Sequence, residues 1–265
     1  MYVWTVANQK GGVGKTTCTA GLAGIAHAKN MRVLMMDVDP HGSLSAYFGY
    51  NPDETAHSAM SLFKSAGSIT QPLVRQVVQK TRYEQLDIIP SSTALATLER
   101  QVIGGGLGLV LAQAIRQVKN EYDLIIIDCP PQLGVLMINA LAACSHLVIP
   151  VQTEHLAIQG LKRMLHTLAM LEKSKKHPTQ YRIVPTMFDK RTQASVQSLR
   201  LMRNEYADHI WHRYIPIDTK LRDASKAGEL PQYYDPNMRC AEPFEALFNY
   251  VLKHEQAYRE QLRAS

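Results

Sequence analysis

The chain has 265 residues, 46% of them apolar and 20% charged, which is typical of a globular protein with a core large enough for one α/β domain. Its formal charge of +6 permits a polyanionic partner but does not by itself indicate one. No stretch approaches the ~20 consecutive apolar residues of a membrane span, and the first residues show no signal-peptide pattern. The four cysteines lack metal-ligand spacing, so we expect reduced, partly buried cytosolic thiols.

Short apolar runs alternate with helix-like stretches along the chain. The runs are continuously apolar, as in parallel strands covered on both faces, and they are Tyr2–Ala7, Val33–Met36, Leu86–Ile89, Leu124–Ile127, Leu147–Val151 and Ile183–Pro185. The helix-like stretches are Thr16–Lys29, Leu107–Lys119, Leu156–Glu172, Ser195–Glu205 and Pro243–Leu262. This alternation predicts one α/β domain over residues 1–265, with a doubly wound, mostly parallel sheet and helices on both faces. Ligands of such sheets bind beyond the carboxyl ends of the strands.

A glycine-rich loop follows the first predicted strand and precedes the first predicted helix. Its sequence is Asn8-Gln9-Lys10-Gly11-Gly12-Val13-Gly14-Lys15-Thr16-Thr17. Glycines let backbone N–H groups point at phosphates, and the helix N-terminus adds partial positive charge. Lys15 is placed to reach the β- and γ-phosphates, and the Thr16 hydroxyl to ligate Mg²⁺. The loop therefore predicts binding of ATP or ADP with Mg²⁺ through Lys10, Gly11, Gly12, Val13, Gly14, Lys15, Thr16 and Thr17.

One position departs from the general phosphate-loop pattern, which has a glycine five residues before Gly14. Here that residue is Gln9, and Lys10 follows it. The sequence from Lys10 to Thr17 resembles the deviant phosphate loop of the ParA/MinD family, in which the first lysine reaches the ATP of a partner subunit. The resemblance implies a homodimer that forms on ATP binding, with Lys10 and Lys15 both catalytic. A cation supplied by the partner would stabilise charge that develops on the transferred phosphoryl group.

Carboxylates follow two further apolar strands, where the phosphates of a nucleotide are expected. Asp37 and Asp39 end the second strand, and Asp128 follows Leu124–Ile127. An apolar strand that ends in aspartate is typical of the second motif of phosphate-loop ATPases, so Asp128 is predicted to hold Mg²⁺ with Thr16. The resemblance implies that Asp39 orients or activates the attacking water and that Asp37 lies near the metal. The candidate metal ligands are thus Thr16, Asp37, Asp39 and Asp128; a helix cap or turn is the alternative for the first two aspartates.

Two later segments are similar to the parts of the family that surround the adenine. They are Ile183–Thr192 and Tyr214–Asp218, and the resemblance implies that Thr186, Met187, Pro216 and Asp218 line the base. Relatives commonly have Arg-Asn where this chain has Ile217-Asp218, although an aspartate can still accept a hydrogen bond from the adenine amino group. The resemblance also implies that Glu154 lies near the nucleotide and the dimer interface. Core packing is the alternative for Met187.

Basic residues occupy the positions from which DNA-binding ParA proteins contact non-specific DNA. These positions are Arg191 and Lys220, and nearby basic residues extend a candidate phosphate-binding stripe: Lys190, Arg200, Arg203, Arg213, Arg222 and Lys226. The missing Arg-Asn segment weakens this inference. A solvated basic face without a partner is the alternative.

The resemblance covers nearly the whole chain and is strongest to one branch of the family. The stretches Val3-Trp4, Asp39–Ser43, Pro90–Arg100 and Leu221–Ser225 are similar to the ParC-type members that accompany chemotaxis and flagellar genes in polarly flagellated γ-proteobacteria. This implies a slow cytoplasmic ATPase near a cell pole, with an adaptor or cargo protein of the chemotaxis array as partner. A DNA-segregating ATPase, a membrane-associated MinD-like switch and a metal-cluster or metabolic relative remain the alternatives.

Overall fold

Seven strands form one sheet in the computed structural model, which describes residues 1–100, 107–172 and 178–264. In chain order the strands are β1 (Tyr2–Val6), β2 (Val33–Asp37), β3 (Gln79–Lys80), β4 (Leu86–Ile89), β5 (Leu124–Asp128), β6 (His146–Gln152) and β7 (Gln180–Thr186). Their order across the sheet is β3-β4-β2-β5-β1-β6-β7, and every pairing is parallel except that of β3 with β4. The predicted doubly wound, mostly parallel α/β sheet is confirmed.

Helices connect the strands on both faces of the sheet. They are α1 (Lys15–Ala28), α2 (Ser43–Tyr47), α3 (Ala59–Lys64), α4 (Gln71–Val77), α5 (Val110–Gln117), α6 (Val135–Ala143), α7 (His155–Glu172), α8 (Gln193–Glu205), α9 (Lys220–Ala227), α10 (Pro231–Tyr234) and α11 (Ala241–Ala264). Two 3₁₀ segments, Thr93–Arg100 and Leu107–Leu109, precede α5. The six predicted strands and five predicted helices are all present, with ends that shift by a few residues.

The core consists of two apolar clusters, one on each face of the sheet. Neighbouring residues of a strand point to opposite faces, so Val3 joins one cluster and Trp4 the other, as do Ile125 and Ile126. Helices α3 to α8 cover the Val3 side, whereas α1 and α11 cover the Trp4 side. This two-sided burial explains why the central strands are apolar without alternation.

The three central strands place their carboxyl ends side by side. β5 lies between β1 and β2, with Val6 and Asp37 both paired in register with Asp128. The phosphate loop leaves β1 at this edge, and α1 begins directly after the loop. The sheet therefore brings together segments that are about a hundred residues apart in sequence.

Candidate nucleotide-binding site

The loop between β1 and α1 has the backbone shape that its glycines predict. Gly12 and Gly14 have φ angles of 74° and 90°, values that residues with a side chain rarely adopt. Gly14 is the N-cap of α1, so the free N–H groups of the first helical turn face the loop. Lys15 is only 8% exposed, and its Nζ donates to the carbonyl oxygen of Lys10 at 3.3 Å. The loop thus forms a cradle of N–H donors with one buried ammonium group.

Hydrogen bonds to β6 and β7 fix this loop in place. Asn8 donates from Nδ2 to the Pro150 carbonyl at 2.7 Å, and its Oδ1 accepts from the Lys10 N–H at 3.1 Å. Thr186 donates from Oγ1 to the Val13 carbonyl at 2.8 Å. These bonds join residues up to 173 positions apart, so the cradle is held by the sheet and does not depend on its own glycines alone.

The two residues that mark the loop as deviant both contact helix α7 or the loop before it. Gln9 donates from Nε2 to Thr167 Oγ1 at 2.8 Å. Lys10 forms an ion pair with Glu154, and both side chains are partly exposed. A Cβ atom added at Gly160 would lie 3.4 Å from the Cβ of Lys10, so α7 approaches the loop closely at this glycine. Lys10 and Glu154 are therefore brought together, although the sequence gives no local sign of their pairing.

A buried carboxylate lies beside the threonine of the loop. Asp128 accepts from Thr16 Oγ1 at 2.7 Å and from Thr19 Oγ1 at 3.3 Å, and it is 1% exposed. Asp37, its neighbour across β2 and β5, is fully buried. Burial raises the pKa of both carboxyl groups, and the negative charge of Asp37 raises that of Asp128 further. A cation bound beside these two buried carboxylates would stabilise their ionised forms.

The donor set fits a hydrated Mg²⁺ ion better than a metal held by protein ligands alone. Thr16 and Asp128 offer oxygen ligands at a position that phosphates would share, and Mg²⁺ commonly keeps waters and few carboxylates. Among the described residues there is no group of three or more His, Cys, Asp or Glu side chains that could hold a metal. Asp37 is already engaged: its Oδ2 accepts from the Ser45 N–H and hydroxyl, both at 2.7 Å, and its Oδ1 from the Asp39 N–H at 3.1 Å.

Asp39 lies in the turn after β2 and has one occupied carboxylate oxygen. Its Oδ1 accepts from the His41 N–H at 3.0 Å and lies 2.9 Å from His41 Nδ1. Ser91 donates its hydroxyl to the Asp39 carbonyl at 2.5 Å, and the Ser91 N–H donates to Ser45 Oγ at 2.7 Å. Oδ2 of Asp39 has no hydrogen-bond partner in the described part of the chain. The turn after β2 thus holds Asp39 firmly while leaving one oxygen available.

The two segments predicted to surround the base lie next to each other. Phe188 forms an isolated parallel bridge with Pro216, and its N–H donates to the Ile215 carbonyl at 3.1 Å. Met187 has a φ angle of 53°, and its Cε is 3.9 Å from where a Cβ of Gly14 would lie. Asp218 accepts from the backbone N–H of Lys220 at 3.1 Å and of Cys240 at 3.3 Å. Met187 thus borders the loop, and Asp218 has a structural use at the start of α9.

The two predicted DNA-contact residues are each paired with a carboxylate of the same chain. Arg191 donates from Nε and Nη2 to the two oxygens of Asp189, at 2.9 and 2.7 Å. This pairing lowers the pKa of Asp189 to about 2. Lys220 forms an ion pair with Asp235. Both basic side chains remain half or more exposed, at 80% and 50%.

Several residues of the site had not been singled out from the sequence. Asn8, Ser45, Ser91 and His41 all hold the loop or the turn after β2, and none has a local signal beyond its nearness to a motif. The cysteines take no part: all four are buried thiols that form no disulfide within the described chain, and burial raises the pKa of Cys129 well above its usual range. In the described ranges, no helix is long and apolar enough to cross a membrane.

Comparison with known proteins gives a consistent family. The model of the AAA_31 family, described as an AAA domain, matches residues 1–181. The chain is 33% identical over 241 residues to the sporulation initiation inhibitor protein Soj of Bacillus subtilis, covering 90% of this chain and 93% of Soj.

Solved structures agree with this fold. Cobyrinic acid a,c-diamide synthase from Mycobacterium smegmatis, with bound ATP analogue and magnesium, is 28% identical and has a TM-score of 0.80 over 96% of this chain and 95% of that chain. The Cyanothece McdA–ATP complex, at 20% identity and a TM-score of 0.82 over 96% of both chains, supports the fold alone. The family match and the identity to Soj show that the chain belongs to the ParA/Soj-like AAA_31 family of P-loop ATPases.

Proposed function

We propose that the protein is an ATP-driven dimerisation switch, which hydrolyses ATP to ADP and phosphate and thereby positions a cellular cargo. The observation that carries the proposal is the joint placement of Lys10 and Lys15 in one loop, beside the Thr16–Asp128 pair. Lys15 is buried under the loop, where its ammonium group is placed to serve the nucleotide of its own chain. Lys10 is partly exposed and can turn outward, toward a partner subunit. The family relationship to Soj and the synthase that binds an ATP analogue with magnesium support the same choice.

Each predicted residue has a role that follows from its position. The N–H groups of Gly11, Gly12, Val13 and Gly14 and the start of α1 at Lys15, Thr16 and Thr17 would surround the phosphates. Thr16 and Asp128 would hold Mg²⁺, with Asp37 behind them; the metal neutralises charge on the phosphate oxygens when bound. Thr186, Met187, Pro216 and Asp218 would lie on the base side, and Glu154 near the interface.

Asp39 is the residue that we assign to the attacking water. Its free Oδ2 can accept a hydrogen bond from water, while His41 and the Asp39 backbone contacts hold the carboxylate in one orientation. Lys10 of a partner subunit would then stabilise the negative charge that develops on the phosphoryl group. Hydrolysis removes the group that both lysines share, so the dimer separates. We expect slow turnover, because the use of hydrolysis here is to change the affinity of the subunits for each other and not to supply a metabolite.

Size-exclusion chromatography with and without ATP tests this switch. Wild-type protein and Asp39→Ala are expected to form dimers with ATP, and the Asp39→Ala dimer should persist because hydrolysis is blocked. Lys10→Ala is expected to bind ATP but to form no productive ATP dimer. Monomers for all three proteins at saturating ATP would contradict the proposal.

The cargo is proposed from the resemblance alone. We propose a cytoplasmic protein that concentrates near a cell pole and acts through an adaptor on a chemotaxis array. A fluorescent fusion that stays diffuse in a polarly flagellated cell, with arrays in their usual place after deletion of the gene, would contradict this choice.

Non-specific DNA is a second candidate partner, because basic side chains gather around Arg191. The side chains of Lys190, Arg203 and Arg213 line the same cleft as Arg191, and Lys220 lies in an adjoining one. ATP-dependent binding to duplex DNA that weakens with salt and is lost in Arg191→Glu would support this function.

A membrane-associated switch has less support. Four apolar residues of α11 are buried against α1 and the sheet and are unavailable to a lipid surface: Phe244, Leu247, Phe248 and Val251. Absence of ATP-dependent flotation with anionic liposomes is the expected result.

A further inference from the structure

A second cleft is lined in part by the base-side segments, Pro216 included, but has no phosphate-loop residue in its lining. It encloses about 700 Å³, a volume within the range of small-molecule sites. We call it the basic cleft and define it by Lys190, Arg203, Arg239, Phe188, Tyr214 and Pro216. Arg239 belongs to the turn before α11 and was not among the basic residues singled out from the sequence.

The charges that line the basic cleft do not balance. Its only carboxylates in the described chain are Asp189 and Glu242, and each is already bound by one arginine through both oxygens, Asp189 by Arg191 and Glu242 by Arg213. Lys190, Arg203 and Arg239 have no ion pair among the described residues, although Arg239 is close enough to Asp189 to help lower the pKa of that carboxyl. The lining therefore has five cationic side chains and two carboxylates.

Arg203 gives the strongest sign of an absent anion. Its Nη2 donates to the His212 carbonyl, but its Nε is buried and has no acceptor. A buried N–H group of a guanidinium without an acceptor destabilises the folded state, so such groups are nearly always paired. An anionic oxygen inside the cleft would satisfy it.

The walls of the cleft are aromatic and apolar. The rings of Phe188 and Tyr214 pack with centroids 4.1 Å apart at 40°, and Pro216 lies beside them. Flat apolar walls next to guanidinium groups suit a ligand that carries a ring as well as phosphates. We propose that the basic cleft binds a phosphorylated small molecule of the nucleotide class, as a site separate from the phosphate loop.

Duplex DNA fits these features less well than a small ligand. Arg203 lines the cleft with its Nε buried, and a small anion fits into such a recess more closely than the convex backbone of a duplex. The carboxylate of Glu242 is 67% exposed, and a long run of phosphates would meet it. The outward-facing Arg191 is occupied by Asp189.

Occupation of the basic cleft would also act on the proposed ATP site, and this second step rests on the proposed function. Phe188 and Pro216 line the cleft and bridge the two segments that carry Met187 and Asp218. A ligand that holds these segments together would change ATP affinity, and ATP would change the affinity of that ligand by the same factor. Binding in the cleft itself does not require that the protein hydrolyse ATP.

Equilibrium dialysis with GDP and with ADP on Lys15→Ala protein tests the site, because that substitution removes the buried ammonium group of the phosphate loop and leaves the basic cleft unchanged. We expect saturable binding of at least one of the two nucleotides with one equivalent per chain. Lys190→Ala/Arg239→Ala in the same background should weaken it by at least about tenfold, since two phosphate contacts are lost. These two side chains make no hydrogen bond among the described residues, so the double variant is expected to fold; Arg203→Ala provides an independent second variant.

The matched control removes two positive charges elsewhere. Arg116→Ala/Lys119→Ala acts at exposed positions at the end of α5 and just after it, away from the cleft, and should leave nucleotide binding unchanged. The proposal is overturned if neither nucleotide saturates, if the control weakens binding as much as the cleft variant, or if the cleft variant loses only binding of short duplex DNA. The Lys15→Ala background makes the result independent of the ATP-driven dimer.

Discussion

The ion pair of Lys10 with Glu154 gives the signature lysine a second partner within its own chain. Both side chains are partly exposed, at 28% and 41%, so the pair contributes little to the free energy of folding. The Glu154 carboxylate nonetheless competes for Lys10 with any phosphate that Lys10 approaches in a dimer. A residue that holds the lysine back before ATP arrives would set the ATP concentration at which the dimer forms.

Glu154→Gln is therefore expected to favour the ATP dimer. The amide keeps the shape of the side chain but not its charge, so half-maximal dimerisation should need up to about fivefold less ATP, the factor that an exposed ion pair supplies. Light scattering during an ATP titration measures the midpoint. Glu205→Gln, which removes the carboxylate paired with Lys162 at 3.5 Å, is the control. A midpoint that moves to higher ATP would mean that Glu154 itself contacts the nucleotide or the partner.

Ser45 is the residue on which the turn after β2 depends most. It donates twice to Asp37 Oδ2 and accepts from the Ser91 N–H, so three buried hydrogen bonds rely on this one residue. Ser45→Ala leaves the Ser91 N–H without its acceptor and is expected to lower the free energy of unfolding by about 1–3 kcal/mol. Urea unfolding measures this change. Ser43→Ala, at an exposed position of the same short helix, should change it by less than about 0.5 kcal/mol.

At the scale of elements, the sequence predicted the strands and their carboxyl-end residues but not the contacts between distant side chains. The apolar runs and the glycine loop are local signals, so β1, β2, β5 and the residues Lys15, Asp37 and Asp128 were identified. The two-residue strand β3 is too short to give a pattern. The Gln9–Thr167 and Lys10–Glu154 pairs join the phosphate loop to α7 and to the residue before it, across more than 140 residues, and only the fold brings them together.

Two glycines of α1 face different neighbours, Gly21 a residue of α11 and Gly24 a residue of α10. A Cβ at Gly21 would lie 2.7 Å from ring carbons of the buried Phe244. A Cβ at Gly24 would meet only the amide end of Gln232, whose Nε2 is buried without a partner. A ring in a packed core cannot move aside, whereas the end of a glutamine side chain can.

Gly21→Ala and Gly24→Ala should therefore change the free energy of unfolding by different amounts or in opposite directions. Alanine gains about 1 kcal/mol of helix propensity over glycine at either position. At Gly21 overpacking against Phe244 is expected to outweigh this and lower the free energy of unfolding by about 1–3 kcal/mol. At Gly24 the change should be near zero or stabilising. Thermal unfolding of both variants measures the difference; equal destabilisation would mean that Gln232 is as rigid as Phe244.

At the scale of the whole molecule, ionisable groups are buried at both ends of the strands. The carboxyl ends collect buried aspartates beside the phosphate loop. The opposite ends, where β6 and β7 begin, carry buried His146 and Arg182, with the partly buried His254 and the buried carboxylate of Glu255 from α11. Arg182 donates to the Tyr181 carbonyl at 2.7 Å and lies 2.8 Å from His254 Nδ1, while both ring nitrogens of His146 have no partner among the described residues.

The global stability of the protein should fall in mild acid because of His146. Burial, helped by the charges of Arg182 and His254, lowers its pKa to about 3. Between that value and its ordinary pKa of 6.5 the unfolded chain binds a proton that the folded chain does not, so the free energy of unfolding decreases as pH falls through this window, by up to about 1.4 kcal/mol per pH unit. Urea unfolding of wild type and His146→Leu from pH 7.5 to 5 measures the effect. Below pH 6.5 the free energy of unfolding of wild type should fall relative to that of His146→Leu, and above pH 6.5 the difference between the two proteins should stay constant. A difference that does not depend on pH would mean that His146 is not the group that titrates.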